Sequence, residues 1–382
     1  MKKTNTKRLF EAEQLPLDRI STLPQPILET ILCLLSTKEA VRTSILSREW
    51  RYKWTKIPKL ELSHRERCIF VPKRRSYIEN TRGNMDMKCK FCDDLNRILL
   101  QHQGPIHELT LDLPEDVCLK LDQIIFDLSK NNTVKKLSLW GEGLDSCFYK
   151  LPIYVFSFRQ LTDLDLHYVD IGRLPTFDGF GSLRSLCLSD VGMSTKTFLH
   201  LLSNCPSLKI LNLENEYFYN YNDDYCTINK LFKCLPVIEH LTIWLHVSQW
   251  LVLDAVPQEL PTSLVHLKYF CFEGMFRVDG NGLAFLLLLI KCSPNLEKIK
   301  LVKCSILWEE YSDVWLEHLN ELEIECFRNS KREMEFVKFI LARSPKLQRV
   351  MIGSSVHREK ESQMLKTLLQ APRVSPVVIT VT

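Results

Sequence analysis

The chain has 382 residues, of which 45% are hydrophobic and 25% charged, with a net charge of +4. That composition excludes wholesale disorder, and the length calls for two or three domains or one elongated array. The longest uninterrupted apolar run, Leu283 to Ile290, is far below the about 20 residues of a membrane-spanning helix, and so small a charge does not by itself point to nucleic acid.

Residues 1–14 are basic at their start and lack an apolar stretch, which predicts a flexible N-terminus rather than a secretory signal. The fourteen cysteines then read as reduced thiols of a cytoplasmic or nuclear protein. Residues 15–62 read as three short helices. Pro24 and Pro26 open the first, which carries Ile27, Leu28, Ile31, Leu32 and Leu35 on one apolar stripe. Ser36-Thr37-Lys38-Glu39 has the capping-box pattern and starts the second, through Ala40, Val41 and Ile45. The third holds Trp50 and Trp54 at i and i+4. So small a head buries little, and part of its apolar surface is expected to face a partner.

Residues 63–95 read as a basic linker. The first 105 residues hold 21 Lys/Arg against 12 Asp/Glu, so the remainder is mildly acidic. From there a pattern of apolar-x-x-apolar-x-apolar recurs ten times: IHELTL from Ile106, VKKLSL from Val134, LTDLDL from Leu161, LRSLCL from Leu183, LKILNL from Leu208, IEHLTI from Ile238, LVHLKY from Leu264, LEKIKL from Leu296, LNELEI from Leu319 and LQRVMI from Leu347. The alternation within each unit predicts a half-buried strand. Helical segments such as FLHLLSNCP and FVKFILARSP end at proline just before several of these strands. Each unit is therefore read as helix, turn, strand. Such a unit buries its apolar face only by stacking on its neighbours.

In that stack, the residues between the buried positions face the inner side of the arc. Trp140, Asp163, Asp165, His240, Trp244, His266 and Lys268 are the candidates for binding a target, with Trp140 and Trp244 favoured because large aromatics concentrate at hot spots. Lys298 and Lys300 would lie beside Glu321 and Glu323, with Arg349 beyond, where opposite charges stabilise the sheet and cancel one another's field.

Catalytic constellations are missing from the pattern. Cys89-x-x-Cys92 has no second pair at finger spacing, and Gly141-x-Gly143 lacks a third glycine. No metal, cofactor, nucleic-acid or membrane role is expected, and the chain is read as non-catalytic.

Residues 18 to 62, DRISTLPQPILETILCLLSTKEAVRTSILSREWRYKWTKIPKLEL, closely resemble the plant F-box; Gln25 and Glu49 are the departures. The units of residues 96–312 resemble a degenerate leucine-rich repeat. Residues 313–382, with LNELEIECFRNSKREMEFVKFILARSPKLQRVMI followed by LLQAPRVSPVVITVT, resemble the FBD region and continue the array. The resemblance implies an α/β chain: a three-helix F-box, then a solenoid of alternating helices and parallel strands. It further implies a substrate receptor of a cullin-type ubiquitin ligase, with the F-box on a Skp-type adaptor, the adaptor on a cullin and the repeats on a target protein. By this analogy the adaptor contact falls on Leu23, Pro24, Ile27, Leu28, Ile31, Leu32, Val41, Ile45, Leu46, Trp50 and Trp54. For Trp50 and Trp54 core and interface are both open; for Leu23, Pro24 and Leu28 interface is favoured. The alternative is an interaction scaffold that works apart from the ligase.

Overall fold

The computed structural model describes residues 20–63, 81–114, 119–141, 148–172, 179–214, 226–245, 251–252, 263–274, 281–302, 315–354 and 358–381. Residues 1–14, Gly143 and the basic Lys73-Arg74-Arg75 cluster of the linker lie outside them. One parallel sheet of twelve strands runs through the described residues, its spatial order following the chain. Its members are β1 (Lys59–Ser63), β2 (Glu108–Asp112), β3 (Lys136–Trp140), β4 (Asp163–His167), β5 (Ser185–Ser189), β6 (Ile210–Glu214), β7 (His240–Leu245), β8 (Tyr269–Gly274), β9 (Lys298–Val302), β10 (Glu321–Phe327), β11 (Arg349–Ser354) and β12 (Val378–Val381). The helices are α1 (Gln25–Cys33), α2 (Thr37–Arg42), α3 (Thr81–Gln101), α4 (Leu119–Asn131), α5 (Thr195–Ser203), α6 (Ile228–Lys233), α7 (Asn281–Cys292), α8 (Lys331–Arg343) and α9 (Arg358–Leu369).

The alternation explains the sheet. In β4 the leucines Leu164 and Leu166 are buried while Asp163, Asp165 and His167 stay half-exposed, and the same rhythm holds in β2 and β6. Each buried leucine contributes about 1.5–3 kcal/mol of apolar burial. Because neighbouring strands are in register, Leu137, Leu164, Leu186 and Leu211 stack into one continuous row.

Three features of the array differ from the sequence reading. First, Ile57, Leu60 and Leu62 make one more unit, since β1 pairs with β2 from Lys59↔Glu108 to Ser63↔Asp112. The sheet therefore begins inside the range assigned to the head. Second, the linker range ends in α3, where Phe91, Cys92, Leu95 and Ile98 are buried along one side; the net basic composition of the segment conceals this periodicity. Third, the chain between β3 and β5 uses no α-helix among the described residues. It runs through a tight turn of helix at Ile153–Ser157 and the strands Tyr149–Lys150 and Val169–Gly172 of a small parallel sheet, whose third strand, Gly192–Met193, follows β5. Tyr168 (φ 52°) and Asp190 (φ 51°) turn the chain into those short strands in the left-handed region, which few non-glycine residues adopt. The short spacing from Leu161 to Leu183 leaves no room for a full helical crossover.

The head is fused to the solenoid. Leu28, Leu32, Ala40, Trp50, Trp54 and Ile57 belong to the same buried cluster as Leu60 and Leu109. The capping box at Ser36 is formed, with Glu39 closing it. β1 would otherwise be an open edge, which a covering element must protect. Here α2 covers it: the buried Thr37 hydroxyl accepts the Glu61 backbone N–H at 2.7 Å. Beyond it, the Thr55 carbonyl accepts the N–H groups of Gln103 and Gly104. Thr37→Val keeps the volume and removes that acceptor. It is expected to destabilise the chain by about 1–3 kcal/mol, read as a fall in the chemical-denaturation midpoint; an unchanged midpoint would show that the edge needs no cover.

Candidate functional site

Two surfaces stand out once the core is accounted for. The first is on the head. Among the described residues sixteen large hydrophobic side chains are exposed, and seven of them lie between residues 20 and 52: Ile20, Ile27, Ile31, Leu34, Ile45, Leu46 and Tyr52. So dense an apolar exposure on so short a segment marks a contact face rather than scattered surface.

The stripe expected along α1 is in fact two. Leu28 and Leu32 face inward and are 1% exposed, while Ile27, Ile31 and Leu34 form a second row on the outside at i, i+4 and i+7. Trp50 and Trp54 also go to the core, and the Trp50 indole N–H donates to Ser21 Oγ at 2.6 Å. Leu28, Leu32, Trp50 and Trp54 are thus buried in the head itself. Leu23 and Val41 are half-buried against the core. Pro24, Ile27, Ile31, Ile45 and Leu46 are exposed, Ile45 to 87%. Leu34, at 82%, belongs with them, although the sequence reading passed over it. Its place one turn beyond Ile27 and Ile31 was the available signal.

The second surface is the face of the sheet opposite the leucine rows. Trp140 at the end of β3 stacks on the His167 ring across the strand pair, with centroids 4.1 Å apart and planes 27° apart. The His167 Nε2 lies 2.6 Å from Asp165 Oδ1, two residues back on the same face. Asp163 accepts the Thr162 hydroxyl at 2.6 Å, and His240 tilts against Tyr269. Gly141 allows the chain to leave β3, since a Cβ there would sit 2.3 Å from the Tyr168 carbonyl oxygen.

His266 and Lys268 are not on this face. β8 starts at Tyr269, which pairs with His240, so Tyr269, Cys271 and Glu273 take the open positions. The segment LVHLKYFCF satisfies the repeat pattern in two frames. Stacking selects the one beginning at Leu267, because it buries Phe270 and Phe272 completely, and His266 and Lys268 are left exposed ahead of the strand. Trp140, Asp163, Asp165, His240 and Trp244 do share the face, though spread over several strands.

Adjacent strands also set Asp165, His167 and Cys187 together, their ligand-type atoms all within 4.8 Å of one another. Sequence spacing hides this trio, because β4 and β5 bring it together only by register. Cys92 of the Cys-x-x-Cys pair is buried in α3, and the side chain of Cys89 lies outside the described residues. Burial pushes the Cys205 thiol up to about 12 and raises Cys271 and Cys234 as well, which keeps these thiols protonated and unreactive. No described helix is long and apolar enough to cross a membrane.

The charges on β9–β11 pair as the register dictates. Lys298 reaches Glu321 at 3.3 Å and Glu323 at 3.0 Å, Lys300 reaches Glu323 at 2.9 Å and Glu325 at 2.5 Å, and Arg349 reaches Glu321 at 3.5 Å. Burial raises the Glu323 carboxyl, but hydrogen bonds from Lys300 and Lys298 outweigh it, and the net direction is down. A lowered carboxylate stabilises the fold above its ordinary range and loses that contribution as the pH falls through its folded value. Acidification from about pH 5 to pH 3 is therefore expected to cost the native chain more stability than Glu323→Gln, as measured by denaturation midpoints across that range. Parallel curves would remove Glu323 from the account.

Comparison with known proteins matches each segment. Residues 20–62 match the F-box domain, 123–223 the leucine-rich repeats described for FBD-associated F-box protein At5g56370, and 315–352 the FBD family. The F-box/FBD/LRR-repeat protein At1g13570 of Arabidopsis thaliana is 28% identical over 94% of this chain and 97% of its own length. From the same plant, F-box/LRR-repeat protein At1g55660 is 29% identical over 69% of this chain and 68% of its own. F-box protein At3g60790 is 27% identical over 60% of this chain, which covers 40% of that protein.

Proposed function

We propose that this chain, an F-box/FBD/LRR-repeat protein by the content and order of its segments, is the substrate-recognition subunit of an SCF-type ubiquitin ligase. The head docks on a Skp-type adaptor, which joins it to a cullin, and the open face of the sheet holds the target. The observation that carries this reading is the exposed apolar surface of the head, gathered on Ile27, Ile31, Leu34, Ile45 and Leu46 beside a solenoid whose leucine rows are already closed. An amphipathic helix with its outer row bare is built to lie in a partner's groove.

The receptor makes and breaks no bond in this scheme. It holds a target lysine near a charged ubiquitin carrier, and tethering raises the effective concentration of that lysine, by about the millimolar range for short flexible links.

The test is a pull-down of the intact chain against a recombinant plant Skp-type adaptor. Stoichiometric capture supports the ligase role. A folded chain that captures no adaptor would leave an interaction scaffold as the better account. A 63–382 truncation is a poor control, because it removes most of β1 and the Thr37 cover and opens the edge of β2. Substitutions on the outer row of the head are the suitable comparison.

A further inference from the structure

A cluster on the open face has chemistry that the receptor role leaves unused. Asp165 and His167 stand two residues apart on β4, so both side chains leave the same face. Register sets Cys187 of β5 directly opposite Asp165. The carboxylate oxygen, the imidazole nitrogen and the sulfur all lie within 4.8 Å of one another. Among the described residues no other group of three His, Cys, Asp or Glu side chains converges in this way.

Convergence separates two chemistries. In a nucleophilic relay the imidazole stands between acid and thiol, with one on each ring nitrogen. Here His167 Nε2 lies 2.6 Å from Asp165 Oδ1, and the acid and the thiol are themselves within 4.8 Å. The three donors surround a point rather than form a line. Zinc holds nitrogen and oxygen at about 2.0–2.2 Å and sulfur at about 2.3 Å, so the donors of a tetrahedral site stand about 3.3–3.8 Å apart. The Asp165–His167 pair therefore has to open by less than about 1 Å and the sulfur to close by at most about 1.5 Å, movements that side-chain torsions supply.

Charge and support both suit an ion. One carboxylate and one thiolate neutralise a divalent cation, and a neutral imidazole completes the set. The His167 ring is already fixed by the Trp140 indole stacked 4.1 Å away, and ligating histidines are commonly held in place by such outer contacts. The His167 and Asp165 side chains are 14% and 28% exposed, so water can reach the site as a further ligand. Sulfur and imidazole select zinc-like ions over magnesium and calcium, which take oxygen.

We propose that Asp165, His167 and Cys187 form a zinc site that pins β4 to β5 on the open face, with a fourth position taken by water. The thiol proton leaves to solvent as the bond between Cys187 Sγ and zinc forms. The site stands apart from the ligase role and does not rest on it. It also departs from the sequence expectation: Cys89-x-x-Cys92 is the pair at zinc-like spacing, whereas this trio exists only through strand register.

The experiment uses the full chain, stripped with a chelator, kept reduced by a phosphine and titrated with Zn²⁺ by calorimetry. Co²⁺ then serves as an optical probe of the same site. Zn²⁺ is expected to bind to one equivalent, and Co²⁺ to give the near-ultraviolet charge-transfer band of a cobalt–thiolate bond. Cys187→Ser should abolish that band, and Cys187→Ser and His167→Gln should each weaken Zn²⁺ by about a hundredfold or more. Trp140→Ala keeps all three donors; it should weaken Zn²⁺ by about tenfold and retain the band. Cys89→Ser should change neither. Added Zn²⁺ should raise the denaturation midpoint of the parent chain and not that of Cys187→Ser. No uptake by the parent chain, a band that survives Cys187→Ser, or binding lost in Cys89→Ser and kept in His167→Gln would overturn the proposal.

Discussion

Trp54→Ala is expected to destabilise the chain by about 3–5 kcal/mol, the usual cost of truncating a buried tryptophan. Trp54 is 3% exposed and shares a cluster with Leu28, Leu32, Ala40 and Ile57. The residue after it, Thr55, supplies the carbonyl that ties the head to the chain entering β2. The cavity therefore opens at the joint between head and solenoid. Hydrogen exchange should show protection lost in α1, α2 and β1 first, with the denaturation midpoint lowered throughout. A variant as stable as the parent chain would mean that the tryptophan is not a core residue. Any loss of adaptor binding in Trp54→Ala follows from this damage, so the substitution does not locate the adaptor contact.

Ile45→Asp together with Leu46→Asp is expected to do the reverse. Both side chains stand largely in solvent, and Leu46 is 67% exposed, so removing them should leave the denaturation midpoint within the small range of ordinary surface substitutions, about 0.5 kcal/mol. If the head docks through its exposed row, placing two charges in a desolvated contact should weaken adaptor binding by about a hundredfold or more, each residue acting as a hot spot of about 2 kcal/mol. Surface plasmon resonance against the immobilised adaptor reads this directly. Retained affinity in a folded double variant would move the contact elsewhere on the head. The two variants form a pair: one lowers stability wherever it is measured, the other lowers binding alone.

The same pair shows how far the head was legible. That α1 carries apolar residues at helical spacing is plain from Ile27, Leu28, Ile31 and Leu32. Which of them face inward was not, because the helix is apolar on two sides and periodicity alone cannot rank two adjacent rows. Leu28 and Leu32 are core only because Trp50, Trp54 and Ile57 come back against them. On the sheet, the charge pairing of Lys298 and Lys300 with Glu321 and Glu323 could be foreseen, since equal unit frames put equal positions side by side. His266 and Lys268 could not be placed correctly, because LVHLKYFCF offers two frames and the choice lies with what stacks against it.

By itself, then, the sequence determined the class of the fold, the head–array–tail order and the strand periodicity. These are local properties: alternation, helix caps and proline stops act within a few residues, and repetition multiplies a weak local signal into a reliable one. Only the tertiary structure decided that the sheet starts at Lys59, that Thr37 guards its edge, and that Asp165 and His167 meet Cys187 across neighbouring strands. Those facts depend on register between segments about 25 residues apart. Register is set by the summed packing of buried leucines and phenylalanines on the hidden face, so the residues that compose the open face have no part in placing themselves.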